Sequence, residues 1–213
     1  MVIEVEDDKV PFIKQYVSVA IIVLNVIVFL FQLMDPSGYM LINEGAFIPR
    51  EFFEGRNYWK IFTSMFMHGD IIHIFYNMWF FYVVADNCEK AMGHALFLIT
   101  YIVSGIVAAL LHAFFMLLVP PMLDVPTLGA SGAIMGIIAV YGILFPDNKL
   151  GLLTSTRTTK ISARQFIIIY FITELVYGII ALGTSGTAHM AHVGGFIAGA
   201  FFALLFKLFS DKY

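Results

Sequence analysis

The sequence predicts an all-α membrane protein, a bundle of six transmembrane helices with both termini in the cytoplasm, and three observations carry that expectation. The composition is 60% hydrophobic and 13% charged, with a mean hydropathy of +0.87, against roughly 45 to 50% apolar and about 25% charged in a soluble domain. Apolar runs long enough to cross a bilayer are spread over the whole chain. Threaded through a membrane in turn, these runs leave most lysines and arginines on one side.

The apolar segments cover about 17–34, 69–86, 94–119, 128–145, 164–183 and 189–208. Each holds roughly 18 to 26 residues, enough at about 1.5 Å per residue to cross a hydrocarbon core of about 30 Å. Together they make residues 1–213 a single membrane domain, with no separate soluble domain left over. The first reads as a retained helix rather than a cleaved signal, because Met1 to Lys14 includes Glu4, Glu6, Asp7 and Asp8 and no clear cleavage site follows. With the amino terminus inside, the inner segments hold Lys9, Lys14, Lys90, Lys149, Arg157, Lys160, Arg164, Lys207 and Lys212, against Arg50, Arg56 and Lys60 outside. That asymmetry favours cytoplasmic termini. A net charge of -3 without a basic block gives no reason to expect nucleic acid, and the lone Cys88 excludes an internal disulfide.

Between the first two spans, Gly38 to Lys60 mixes Phe, Tyr and Trp with charges and is expected to lie partly in the membrane interface. The second span opens with "HGDIIHIFYN", which puts His73 and Asn77 at i and i+4 on one face. The third, 94–119, is a long apolar run. The fourth starts at the Gly-Ala-Ser-Gly turn that holds Ser131, and a polar, basic connection from Pro146 to Arg164, read as a solvated cytoplasmic loop, follows it. The fifth span carries Glu174 and ends at the polar "GTSGTA", Gly183 to Ala188. The sixth carries His189 and His192 in "HMAHVGGFIAG".

The second, fourth and sixth spans all run from outside to inside, so His68, His73 and Asn77, then Ser131, then His189 and His192 fall at one depth near the outer end. Polar groups in hydrocarbon are costly unless partnered, which makes them functional candidates. A serine hydroxyl is a poor nucleophile until a base takes its proton, and histidine is the usual base near neutral pH. Ser131 and His192 supply that pair. Gly195 and Gly199 share a face with His192, and Gly132 and Gly136 repeat the spacing on the fourth span, so the two helices can approach closely. His73 and Asn77 can both donate to a developing oxyanion, and backbone N–H groups opening the fourth span add donors. Each feature has a plainer reading: a serine helix cap, a packed histidine, simple helix packing. Their convergence at one depth favours a site.

"HGDIIHIFYN", "GASG" and "AHVGGFIAG", in this order on the second, fourth and sixth spans, resemble the rhomboid family of intramembrane serine proteases. "NCEKAMG" is similar to the family's E-x-x-x-G, with Glu89 and Gly93 in the structural positions, and Trp59-Lys60 resembles its Trp-Arg pair. The resemblance covers essentially the whole chain. It implies a six-helix core, Ser131 as nucleophile, and His192 as general base and then acid with no third acidic member. His73 and Asn77 would form the oxyanion site, with Gly129 and His68 in support. It further implies no cofactor or metal, transmembrane protein substrates cut near the outer leaflet of a lipid bilayer, and lateral access past the fifth span. A multi-pass protein of a cell membrane is expected, and a prokaryotic one, since no Arg- and Ser-rich transit segment opens the chain. The oligomeric state is left open. Two positions depart from the family pattern: Met135 replaces an aromatic residue four after the serine, and Lys60 keeps the charge of an arginine without its bidentate fork. Glu174 receives no role.

Three other classes stand beside this one. A catalytically dead binder would be expected to have lost Ser131 or His192. A histidine proton-relay transporter would show paired broken helices in two related halves. A zinc site from His68, His73, His189 and His192 lacks an HExxH motif, and i, i+5 spacing separates His68 from His73.

Overall fold

The computed structural model describes residues 2–4, 10–37, 40–153 and 158–210. Lys9, Arg157 and Lys212, three of the residues used to orient the chain, lie outside the described residues, as do Gly38 and Tyr39 of the first connection. After α1 (Tyr16–Met34) come three short helices, α2 (Met40–Gly45), α3 (Pro49–Phe53) and α4 (Lys60–Thr63), and then the longer α5 (Ile71–Met92), α6 (His94–Met116), α7 (Ser131–Leu144), α8 (Ala163–Ile180) and α9 (His189–Leu208). By length and composition, α1, α6, α8 and α9 can cross a membrane. The 22 residues of α5 suffice in length, but its last two turns carry Asp86, Glu89 and Lys90, and α7 is apolar but only 14 residues long.

The architecture is built around α7. Every residue from Gly132 to Gly142 is buried, and α5, α6, α8 and α9 all pack on it, with α1 outside against α5 and α6. Outward faces are apolar: Leu24, Ile27 and Phe31 of α1, Ile169 and Ile172 of α8, and Phe201 and Leu204 of α9 are exposed. A soluble protein rarely shows contiguous patches of this kind, whereas a bilayer covers them. Polar residues turn inward instead, among them Ser18, Asn25, Glu89, Thr100, Ser104, His112 and Glu174.

Glycines set the closest approach. An added Cβ at Gly195 would lie 1.8 Å from the Gly132 carbonyl oxygen, and one at Gly199 would lie 2.0 Å from that of Gly136. At Gly136 the obstacle is Ser104 Oγ at 2.1 Å, and at Gly132 it is Ala108 Cβ at 2.5 Å. Backbone thus meets backbone between α7 and α9, which small residues alone permit. At the other end of α5, Glu89 accepts from the Val17 and Ser18 N–H groups at 2.9 and 2.8 Å, from the Ser18 hydroxyl, and pairs with His94 Nδ1 at 2.5 Å. It thereby satisfies the otherwise orphaned first turn of α1. Gly93, at φ 76, makes the sharp turn between α5 and α6.

Four sequence readings are corrected. The fold is mostly helical, as read, but not purely so: Val2–Glu4 (β1), Lys149–Leu153 (β2) and Thr158–Ser162 (β3) form a small antiparallel sheet in the order β1-β2-β3, with Val2 opposite Leu152 and Leu150 opposite Ile161. The connection after α7 is accordingly a hairpin rather than a solvated loop, because Leu150 packs fully buried into the main core. Ser162 and Gln165 then close a capping box that starts α8. The fourth span is shorter than 128–145, because Gly129 at φ 123 puts the preceding residues into a turn. Boundaries shift as well: α5 runs 71–92 rather than 69–86, α6 stops at Met116 ahead of the Pro120-Pro121 pair, and α8 stops at Ile180 ahead of Gly183 at φ 75.

Candidate active site

Ser131 opens α7, but the N-cap residue is Ala130 and no side chain caps the helix. The serine hydroxyl is therefore not spent on capping; it lies 2.8 Å from His192 Nε2. Two connections fix the turn before it: Phe47 and Thr127 exchange backbone hydrogen bonds at 2.9 and 2.7 Å, and the Gly129 N–H donates to the Ser64 carbonyl at 2.9 Å. The first N–H groups of α7 have no intrahelical acceptor and point toward the serine end.

Above this pair opens a cavity of about 690 Å³, lined by His73, Asn77, His112, Ser131, Met135 and His192 among others. Asp70 caps α5 by accepting from the His73 N–H at 2.8 Å. The His73 ring accepts at Nδ1 from the Gly69 N–H at 3.3 Å. A neutral imidazole that accepts at Nδ1 carries its proton on Nε2, and Nε2 faces Gly129, where an added Cβ would come within 2.9 Å of it. Asn77, one turn on, donates Nδ2 to the His73 carbonyl at 2.9 Å. His68 is brought near but not into the cavity: it is buried in the turn before α5, edge-on to His73 at 5.1 Å, with its backbone N–H and C=O both bonded to Gln32. Burial, with His73 second, pushes its imidazole from 6.5 down to about 3, so it stays neutral.

Two residues of this site escaped the sequence reading. Glu174 Oε2 lies 2.8 Å from His192 Nδ1 and 2.7 Å from His189 Nδ1, while His189 Nε2 lies 3.1 Å from the Ser185 hydroxyl. His112 of α6 lines the cavity with Nδ1 unpartnered among the described residues. The available signal in both cases was an ionisable residue inside an apolar span. The four-histidine zinc grouping is not assembled; among the described residues, the metal-ligating atoms that converge within 4.8 Å belong to Glu174, His189 and His192. In the first connection, Lys60 is buried and holds the Asn43 carbonyl at 2.8 Å and Glu51 at 2.9 Å.

Comparison with known proteins gives one consistent set of matches. A family model described as the Rhomboid domain matches residues 55–209. The chain is 30% identical to Rhomboid protease AarA of Providencia stuartii, over 92% of this chain and 74% of that protein. It is 23% identical to RHOMBOID-like protein 4 of Arabidopsis thaliana, over 78% of this chain and 39% of that one. It is 25% identical to Inactive RHOMBOID-like protein 8 of the same plant, over 78% of this chain and 43% of that one. The chain thus spans less than half the length of these two plant relatives.

Proposed function

This chain belongs to the rhomboid family, and from that premise we propose that it is an intramembrane serine endopeptidase that cuts transmembrane segments of other membrane proteins near the outer leaflet. The observation that carries the proposal is the 2.8 Å contact of Ser131 Oγ with His192 Nε2 in a cavity that His73, Asn77 and His112 also line. His192 takes the hydroxyl proton as Ser131 Oγ bonds to the scissile carbonyl carbon, then returns it to the leaving amine. Water repeats the sequence on the acyl-enzyme, its proton passing through His192 and back to Ser131. The negative charge that develops on the carbonyl oxygen meets His73 Nε2–H, the Asn77 amide and the N–H groups opening α7. Gly129 lets the chain pass against the His73 ring, and His68 packs behind it.

A substrate helix has its carbonyls bonded within itself and must unwind before attack, so small or helix-breaking residues near the cut favour cleavage. On this reading residues 1–213 are one domain in the cell membrane of a prokaryote, crossing it six times with both termini in the cytoplasm. The pairing of β1 with β2 agrees with that threading, because it puts the amino-terminal strand and the α7–α8 connection at the same end of the bundle.

The test is cleavage of a labelled single-span substrate by purified protein in liposomes, compared with Ser131→Ala and His192→Ala. Loss of cleavage in both variants is the expected result, and cleavage persisting in Ser131→Ala refutes the assignment. Since one relative is named inactive, absence of cleavage by wild type, together with no labelling by a serine-reactive fluorophosphonate, would make the protein a non-proteolytic binder.

A further inference from the structure

An ionisable side chain inside an apolar helix is costly unless it is partnered or employed. Glu174 sits near the middle of the second half of α8, buried, and a single oxygen, Oε2, meets two imidazoles on α9: His192 Nδ1 at 2.8 Å and His189 Nδ1 at 2.7 Å. An ionised carboxylate only accepts, so both rings donate to it from Nδ1. A neutral ring that donates from Nδ1 offers Nε2 as an acceptor. In His192 that nitrogen faces Ser131 Oγ at 2.8 Å. The carboxylate therefore selects, through the far nitrogen, the one tautomer that can take the serine proton.

From this geometry we infer that Glu174 is a positioning residue of the active site, which holds His192 in its reactive tautomer and orientation and stabilises the imidazolium formed during attack. The inference rests on the Ser131–His192 reading above and turns that pair into a triad, where the family resemblance implied no acidic member. The proton balance is unchanged. Ser131 gives its proton to Nε2 as the Oγ–carbon bond forms, the Nδ1 proton stays on the ring and bonds to Glu174, and the leaving amine takes the proton back from Nε2. Glu174 is never protonated. Other groups facing the pair are His73 from α5, His112 from α6, Ser131 from α7, Tyr170 of α8 and His189 of α9. None of these carries negative charge at neutral pH, so Glu174 alone among them can offset an imidazolium.

A metal ion would use the same three groups, but the distances speak for hydrogen bonds. Two tetrahedral ligands at about 2.0 to 2.1 Å from one zinc lie roughly 3.4 Å apart, whereas both oxygen-to-nitrogen separations here are shorter, at 2.7 and 2.8 Å. The contact also reaches from α8 to α9, so turnover requires these two helices to be docked at this level.

The test compares wild type, Glu174→Gln, Glu174→Asp and Ser131→Ala, purified in full length, for cleavage of the single-span substrate and for the rate of fluorophosphonate modification, with thermal unfolding as the check on folding. The amide should lower kcat by about 100-fold or more, the direction seen when a triad acid is neutralised, with KM nearly unchanged and modification of Ser131 slowed in parallel. Aspartate should restore part of the rate. A folded Glu174→Gln that matches wild type within about twofold in kcat and modification, or that changes KM alone, overturns the inference. Should the amide fail to fold, nitrogen NMR of wild type labelled in histidine decides: His192 protonated on Nδ1 and bare on Nε2 is expected, and the opposite tautomer overturns it. Cleavage surviving in Ser131→Ala would bring down the nucleophile assignment itself, whereas full activity in Glu174→Gln beside an inert Ser131→Ala brings down the Glu174 role alone.

Discussion

Replacing Gly195 by alanine tests whether the helix contact and the chemistry are one structure. The added Cβ would sit 1.8 Å from the Gly132 carbonyl oxygen and 2.8 Å from its carbon, where an ordinary carbon–oxygen contact is about 3.3 Å. Relieving the clash requires α7 and α9 to separate locally by about 1.5 Å. His192 lies one turn before Gly195 on the same face. If the shift is carried by α9, the Ser131–His192 contact lengthens from 2.8 Å to about 4 Å, beyond hydrogen-bond range. Overpacking of this kind costs about 1 to 3 kcal/mol, of which alanine recovers about 1 kcal/mol as the better helix former, so the unfolding temperature should fall by several degrees at most. The rate is the sharper readout, since a misplacement of about 1 Å can cost about 100-fold. Gly195→Ala should therefore cleave the single-span substrate at about one hundredth of the wild-type kcat/KM or less. Leu204→Ala, at an exposed position on the outward face of α9, serves as control. A Gly195→Ala protein that cleaves within about twofold of wild type refutes the claim that this glycine contact sets the distance between nucleophile and base.

Two further predictions concern the supporting frame. Glu89→Ala strips the acceptor from the Val17 and Ser18 N–H groups and the Ser18 hydroxyl, and at about 1 to 3 kcal/mol for each buried donor left unpaired it should lower the thermal midpoint strongly; an unchanged midpoint refutes the role given to Glu89. Glu51, outside the spans, has its carboxyl held below the ordinary 4.5: burial works to raise it, and bonds from Lys60 and Asn57 outweigh that. A carboxyl depressed in the folded state contributes stability that is fully present above pH 4.5 and lost as pH falls through its lower folded value. Glu51→Gln should thus lower stability at neutral pH and flatten the acid branch of the melting curve against pH, and identical acid branches in the two proteins refute the pairing.

The sequence made the long helices legible because hydrocarbon thickness demands long apolar runs, and it made Ser131 and His192 conspicuous because polar residues interrupt those runs beside glycines. It hid what depends on helix rotation. In a soluble helix the apolar stripe marks the buried face, but in a membrane the outward face is apolar too, so α8 offers no periodic sign that Glu174 turns inward to α9 while Ile169 and Ile172 turn outward. His112 on α6 was hidden for the same reason. The sheet was illegible on other grounds: "KLGLL" is a short run, and its partner strand Val2–Glu4 lies at the opposite end of the chain.

The length of α7 ties these parts together. Its 14 residues rise about 21 Å, against a hydrocarbon core of about 30 Å, so this buried helix is too short to run from one face of such a core to the other. Gly129 enforces the stop, because its positive φ turns the chain away where a longer helix would have continued to the interface. The space this leaves is the cavity over Ser131, walled by α5, α6, α8 and α9 and lined with histidines and an asparagine that can hold water. Hydrolysis within a bilayer needs both water and a serine at the depth of a helical substrate's carbonyls. On the proposed reading a shortened central helix supplies the two together, and Glu174 of α8 meets His192 one turn into α9.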